Sequence, residues 1–483
     1  MCNNHLILRL SLSLSLLIFT CVPIHRQNNA DRIQPWPHNP KYWQYKGAPV
    51  LLVGGTKDDN LFQLPDLEQH LDSLAQIGGN YIRNTMSSRV NRGWEIYRFK
   101  QLENGQYDLA QWNDDYWTRF QNMLQWTYER DIIVQIEVWD RFDYSRDEWL
   151  TCPWNPENNI NYSFEETGFA PEYPKHPSSD LQPFFHSIPG MDKYDTKYDI
   201  FRLYQEKFVD KLLSYSLDFP NVLYCMNNET STSSKWGQYW MKYIRDQAQK
   251  KSVTVYVTDM FDDFWQGEES DNVELVFSAP ELYAFVDISQ VNSRNFGQQH
   301  WDRLRWLHDQ VKDFPRPLNN TKIYGGNETP WGSGTNKDGI ERMWRHVIGG
   351  SASMRHHRPP TGCGLNAHAI ASIKAIRKME TLVKMWDLEP HMELLANRED
   401  NEAYVAAKPG TAYAVYFPET GTVDLDMRHV EDDTVKLFWI NISTGEWGDT
   451  SLVNFQEKIR LQTPSNESWV AIVLRKGVDN ENH

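Results

Sequence analysis

Between residues 49 and 385 the chain alternates short apolar runs with longer amphipathic stretches. The clearest run, Val222–Met226, is five mostly apolar residues between the turn signal Phe219-Pro220-Asn221 and a polar stretch. That is the pattern of a strand buried on both faces, as in a parallel sheet. Runs at Pro49–Gly55, Asn80–Asn84, Ile132–Trp139, Val253–Val257, Phe285–Ser289, Lys322–Tyr324 and Ser351–Arg355 complete a set of eight. Helical spacing fills the intervals. Leu67, Leu71 and Leu74 share one face of Leu64–Ile77, and Trp117, Phe120, Leu124 and Tyr128 share one face of Trp112–Arg130. Further helices are expected at Ile200–Leu217, Lys235–Lys251, Trp301–Phe314, Gly339–Ile348 and Ala367–Met385. Eight strand–helix units predict an α/β chain folded as a (β/α)8 TIM barrel.

From Glu402 the texture changes to short alternating strands with Gly or Pro turns between them. They fall at Ala403–Ala407, Thr411–Phe417, Thr422–Leu425, Val435–Ile440, Lys458–Leu461 and Trp469–Leu474. This predicts a small C-terminal antiparallel β-sandwich. The expected division is a leader at 1–30, the barrel at 31–390 and the sandwich at 391–483. Asp31–Pro49, rich in Pro, Trp and Tyr, is expected to pack across the barrel mouth or floor. Arg146–Asp199 has little periodicity and is expected to be a long loop that shapes a substrate cleft.

Composition narrows the function. A net charge of −16 over 483 residues argues against nucleic acid as a partner. The 20 Trp suit either an aromatic core or a sugar cleft, where a flat apolar face stacks on a pyranose and a polar edge meets hydroxyls. Met1–Ala30 carries Arg9 and then the apolar stretch Leu10–Phe19, the pattern of an export signal rather than a membrane span. The mature chain is therefore expected to be secreted, periplasmic or on the cell surface, with cleavage between Cys21 and Ala30. Cys21 is also weighed as a lipid-anchor site, against which Ile18-Phe19-Thr20 is a poor match. Cys152, Cys225 and Cys363 remain, an odd number without metal or disulfide spacing. No cofactor or metal is expected.

Candidate chemistry lies where apolar runs end. Val222–Met226 runs into Asn227-Asn228-Glu229-Thr230, and the same ending recurs 99 residues later at Asn327-Glu328-Thr329. Asn228-Glu229-Thr230 also fits a glycosylation sequon. Carboxylates delivered just past the fourth and seventh strands would share one cleft at the C-terminal face of a barrel. A pair of that kind is what glycoside hydrolysis needs, one carboxyl protonating the leaving oxygen while the other attacks the anomeric carbon or activates water.

Asn228-Glu229, Glu328 and Arg83 together resemble the clan A retaining glycoside hydrolases. The resemblance implies that Glu229 is the acid/base, Glu328 the nucleophile, Arg83 the group holding the nucleophile ionised and Asn228 the ligand of a sugar 2-hydroxyl. Val50–Thr56, Asp287-Ile-Ser-Gln290 with His300, and Asn327–Gly332 look like the exported bacterial barrels of the apiosidase type. Phe438–Trp447 and Pro464–Leu474 look like the collagen-binding-type β-domain that those barrels carry, for which packing against the barrel is the expected role. Two departures keep the substrate from being carried over: the apiosidase type has an Asp as acid/base, and the 146–199 stretch is not part of its pattern.

The expected substrate-binding set is Arg83, Asn228, Trp139, Asp140, Gln290, His300, Trp331 and His356. Trp154 and Trp265 are further stacking candidates. Asp140 is weighed between a sugar contact and a structural partner of Arg141 or Arg83, and Asp58 and Asp59 between sugar contacts and helix capping. His356 and His357 are weighed as a sugar subsite, or with Arg355 and Arg358 as a site for an acidic sugar. The function read from the chain is hydrolysis of a glycosidic bond in an oligosaccharide or polysaccharide. Its rivals are a non-catalytic carbohydrate-binding barrel, and an inverting hydrolase or lyase using Asp140 or Asp259.

Overall fold

The computed structural model describes residues 29–88, 93–175, 180–291, 294–326 and 332–476. The expected leader through residue 28, with Cys21, lies outside the described residues. Eight parallel strands form the barrel, in chain order Leu52–Gly55, Tyr81–Thr85, Ile133–Asp140, Val222–Asn228, Val257–Thr258, Val286–Asp287, Leu318–Ile323 and Ser353–His356. Strands two to five pair in sequence, strands six to eight do the same, and strand eight pairs with strand one. Backbone bonds join the two halves: Asn80 N–H donates to Val53 O at 2.9 Å and Ala284 N–H to Val257 O at 3.1 Å. The sheet is closed, as in a TIM barrel.

The floor of the barrel is plugged by an antiparallel unit of Gln34–Trp36, Asn39–Tyr45 and Ala48–Val50. Ile33, Trp43 and Tyr45 pack against Leu52, Tyr81, Ile133, Leu223, Phe285 and Ala352, which lie at the N-terminal ends of the strands. Trp43 Nε1 reaches through to Asn319 Oδ1 at 2.8 Å.

Strands five and seven differ most from their expected bounds; strand five is only Val257–Thr258, against the expected Val253–Val257. Strand seven is displaced the other way. It spans Leu318–Ile323, LNNTKI, every residue of it buried, whereas the apolar pattern begins it at Lys322. Its polar side chains find buried partners within the barrel and on the helix behind it, as buried polar groups must. Asn319 donates to Gln135, Asn320 pairs with His346, Thr321 donates to Asp287, and Gln135 donates to Asp287 at 2.7 Å. A hydropathy pattern cannot see a strand whose core contacts are hydrogen bonds.

The stretch after strand three is not a loose loop. It holds the helices Arg146–Thr151 and Phe164–Thr167, and an aromatic cluster in which Tyr144 stacks on Phe184 at 4.0 Å while Trp149 packs edge-on against Phe169.

The C-terminal region is two antiparallel sheets. Six strands, Glu389–Pro390, Tyr404–Lys408, Ala412–Phe417, Trp469–Arg475, Thr434–Asn441 and Glu446–Asn454, form one, and Leu395–Ala396, Thr422–Asp426 and Lys458–Gln462 the other. Glu446–Asn454 has no buried residue and escaped the apolar pattern for that reason. The larger sheet lies on the helix Asn336–Ile348, of which every residue from Gly339 on is buried. Trp344 stacks on Tyr416 at 5.7 Å, and Arg345 Nη1 donates to Asn401 Oδ1 at 2.8 Å and to Glu341 Oε2 at 3.0 Å. The helix behind strand seven is thus clamped between barrel and sandwich. Trp344→Ala should empty that contact and cost about 3–5 kcal/mol, read as a lower denaturant midpoint; an unchanged midpoint would show that the sandwich does not brace the barrel.

Candidate active site

At the C-terminal ends of the strands lies a cavity of about 480 Å³. Glu229 enters it directly after strand four. Its backbone is left-handed, φ 56°, a conformation that a non-glycine residue adopts only when its surroundings hold it. Here Thr230 N–H donates to Met260 O at 2.8 Å and Asp262 N–H to Thr230 O at 3.0 Å, tying the turn to the end of strand five. The turn aims the Glu229 carboxylate at strand seven. Lys322 Nζ donates to Glu229 Oε1 at 2.5 Å and to Asn228 Oδ1 at 2.7 Å, and Gln290 Nε2 donates to Glu229 Oε1 at 3.0 Å. Arg141 Nη2 lies 3.9 Å from Glu229 Oε2 and 3.0 Å from Asp262 Oδ2. Burial alone would raise the Glu229 pKa; the Lys322 ammonium and the Arg141 guanidinium override it and hold the carboxyl at about 2. Asp262 moves the other way, raised by burial despite Arg141.

A second charged cluster lines the opposite wall. Arg83 is fully buried, with Nε and Nη2 both 2.5 Å from the Glu137 carboxylate and Nη1 2.6 Å from Asp59 Oδ1. Asp59 also takes Arg358 Nε at 2.6 Å and faces Arg355 and His357. Burial opposes its charge, but the arginines, Arg83 foremost, hold its carboxyl well below the usual range. Burial keeps the His357 ring neutral, well below the ordinary histidine value.

Of the residues expected from the sequence, the cavity brings together Glu229, Arg83, Asn228 and Gln290. Asp140 lies behind them, buried, accepting from Asn228 Nδ2 at 3.2 Å and capping the turn at Phe142 N–H; it orients Asn228 rather than lining the cavity. Asp259 is buried below the cavity, accepting from Asn227 and from its neighbour Met260, and burial pushes it up to about 7. Three expected contacts are corrected. Trp139 is wholly buried among Phe184, Phe208, Trp236 and Trp240, so no face is left for a sugar. His300 is buried in a helix behind the barrel, against Arg345 and His346. His356 faces the core, and its neighbour His357 lines the cavity instead, because successive strand residues face opposite sides. Trp154 is also buried, whereas Trp265 lines the cavity half-exposed. Glu328 and Trp331 lie outside the described residues.

Sequence reasoning missed Lys322, Arg141, Asp262, Arg294 and Tyr324 as lining residues. A lysine within an expected buried strand was the one available signal, since an ammonium is buried only with partners. Among the described residues no group of three or more His, Cys, Asp or Glu could hold a metal ion, and no helix is long and apolar enough to cross a membrane.

Comparison with known proteins bears on both parts of the chain. Residues 390–474 match the family described as "Putative collagen-binding domain of a collagenase". No curated protein matches the sequence. Among solved structures, a glycoside hydrolase family 5 protein from Bacteroides vulgatus ATCC 8482 is similar with a TM-score of 0.60 at 13% identity, over 93% of this chain and 94% of that one. A structure described as a glycoside hydrolase is similar with the same TM-score of 0.60 and 13% identity, over 93% of this chain and 98% of that one. At such identities the likeness is one of fold, and it spans the barrel and the C-terminal sheets together.

The Lys322 contact generates a pH prediction. Glu229 sits at about 2 against an ordinary value of 4.5, so its contribution to stability is complete above about 4.5 and is lost as pH falls toward 2. Lys322→Met should raise the Glu229 midpoint and remove that contribution, costing about 3–5 kcal/mol near neutrality through the carboxylate left without its partner. Carbon-13 NMR of the carboxyl, assigned by its disappearance in Glu229→Gln, reads the midpoint; a value that stays near 2 would assign the low pKa to Arg141 instead.

Proposed function

We propose that the chain is a glycoside hydrolase acting on an oligosaccharide or polysaccharide, with Glu229 and Glu328 as the catalytic pair of a retaining double displacement. The observation that carries the reading is a carboxylate projected by a held left-handed turn into a cavity at the C-terminal mouth of a closed eight-stranded barrel. That is where barrel enzymes assemble their chemistry. The likeness in fold to solved glycoside hydrolases supports it. Export, on the strength of the leader, and a division at 31–390 and 391–483 belong to the same proposal.

In this scheme Glu328 attacks the anomeric carbon while Glu229 protonates the departing oxygen, and Glu229 then takes a proton from the water that hydrolyses the glycosyl ester. Lys322 favours the anionic form of Glu229, the form needed for the second step. Proton donation in the first step requires that a bound sugar loosen the Lys322 contact. Asn228, fixed between Asp140 and Lys322, presents its amide for a sugar hydroxyl.

The strength of that ion pair favours a second reading, in which Glu229 stays ionised and acts as nucleophile or base. Asp262, raised in pKa and sharing Arg141 with it, would then be the proton donor. An activated aryl glycoside, whose leaving group departs without a proton, separates the two. On natural linkages Glu229→Gln and Glu328→Gln should each lose about 10³-fold in turnover, and proton NMR of the first product should show a retained anomeric configuration. If Glu229 is the acid/base, Glu229→Gln keeps the first step on the activated substrate and accumulates the glycosyl-enzyme. If that step is lost too and Asp262→Asn loses turnover only on natural linkages, the second reading holds. Glycan binding without turnover on a broad panel would favour the carbohydrate-binding barrel.

A further inference from the structure

The cavity has the wrong sign for its protein. The chain carries a net charge of −16, yet the described lining residues include twice as many Arg and Lys as Asp and Glu. Inside, every lining cation meets a carboxylate: Arg83 has Glu137 and Asp59, Arg358 has Asp59, Lys322 has Glu229, and Arg141 has Asp262. The surplus is at the rim. The Arg146 side chain is 38% exposed, and its Nε lies 3.6 Å from Glu148 Oε2. Arg294 makes no ion pair with any described residue and lies 5.7 Å over the ring of Trp265, itself 53% exposed. On the other side, Arg146 and Arg141 both approach the ring of Phe142, at 5.9 and 5.3 Å. Arg141 is also under-used: it is 4% exposed, and its Nε and Nη1 are buried with no hydrogen-bond partner. An arginine needed only for solubility would extend into water. These are arranged on aromatic faces around one opening, where a planar guanidinium fork is ready for an oxyanion and the exposed indole for a sugar ring.

We propose that the pocket selects glycans bearing an acidic substituent, a uronate carboxylate or a sulfate ester, gripped at the rim by Arg146 and Arg294 with the sugar stacked on Trp265. This rests on the reading of the cavity as a glycan site and names the class of glycan. Neutral sugars can also hydrogen-bond arginine, so the deciding quantity is the preference between matched ligands and its dependence on salt.

Calorimetric titration of the wild type with a galacturonate trimer, a sulfated galactose trimer and a galactose trimer, at low and high salt, supplies both. One or both acidic trimers should bind at least about tenfold more tightly than the neutral one, with the advantage shrinking as salt rises; which of them binds assigns carboxylate or sulfate. The double variant Arg146→Gln, Arg294→Gln should erase the preference with its thermal midpoint unchanged, as expected for two rim side chains. A neutral trimer that binds as tightly, a preference that survives in the double variant, or no binding of either acidic trimer overturns the proposal. Cleavage of neutral glycans alone sinks this inference and leaves the hydrolase reading standing; binding of acidic glycans without Glu229-dependent cleavage does the reverse.

Discussion

The contact between Lys322 and Glu229 is the constraint around which the cavity is arranged. An ammonium on the inner face of a buried strand costs several kcal/mol unless anionic and polar atoms surround it. Strand four provides them through Asn228 and Glu229, but only because Glu229 takes up a left-handed backbone that turns its carboxylate inward. That turn in turn depends on the hydrogen bonds from Thr230 and Asp262 that tie strand four to strand five. Breaking the ion pair would therefore loosen the end of two strands as well as shift one pKa.

The same logic extends around the barrel mouth. Arg83 bridges Asp59 after strand one and Glu137 on strand three, and Asp59 draws in Arg355 and Arg358 from the end of strand eight. Charges of alternating sign cross from strand to strand, so no carboxylate or guanidinium in this wall is buried alone. Such a lattice is less a source of net stability than a means of fixing side-chain positions, because desolvation cancels much of the Coulomb gain. Fixed positions are what a site needs if developing charge is to be met without reorganisation.

Two additions to the barrel hold this mouth in place. The 141–199 region builds an aromatic core of its own, joined to the barrel through Trp139 and Phe184, and from it Arg141, Phe142 and Arg146 project over the cavity. The C-terminal sheets brace the far side, burying the helix that follows strand seven. A protein of net charge −16 thus presents a cavity lined by more Arg and Lys than Asp and Glu among its described residues.

What the sequence by itself determined was whatever hydrophobic periodicity encodes. Apolar runs with turn signals between them were enough for eight parallel strands, and alternating strands after residue 402 for the sandwich, because both follow from which faces must leave water. Asn228-Glu229 at the end of a run was legible for the same reason. The tertiary structure alone decided which polar residues meet. The first four residues of strand seven, Leu318–Thr321, are buried largely through hydrogen bonds, so the apolar pattern starts that strand only at Lys322; Lys322 faces Glu229 across 93 residues of chain. Trp139 went to the core and His357 rather than His356 to the cavity, choices set by packing and by the inward or outward turn of a strand end. Arg141, Asp262 and Arg294 come from loops, whose positions follow from the frame that carries them and from no periodicity of their own.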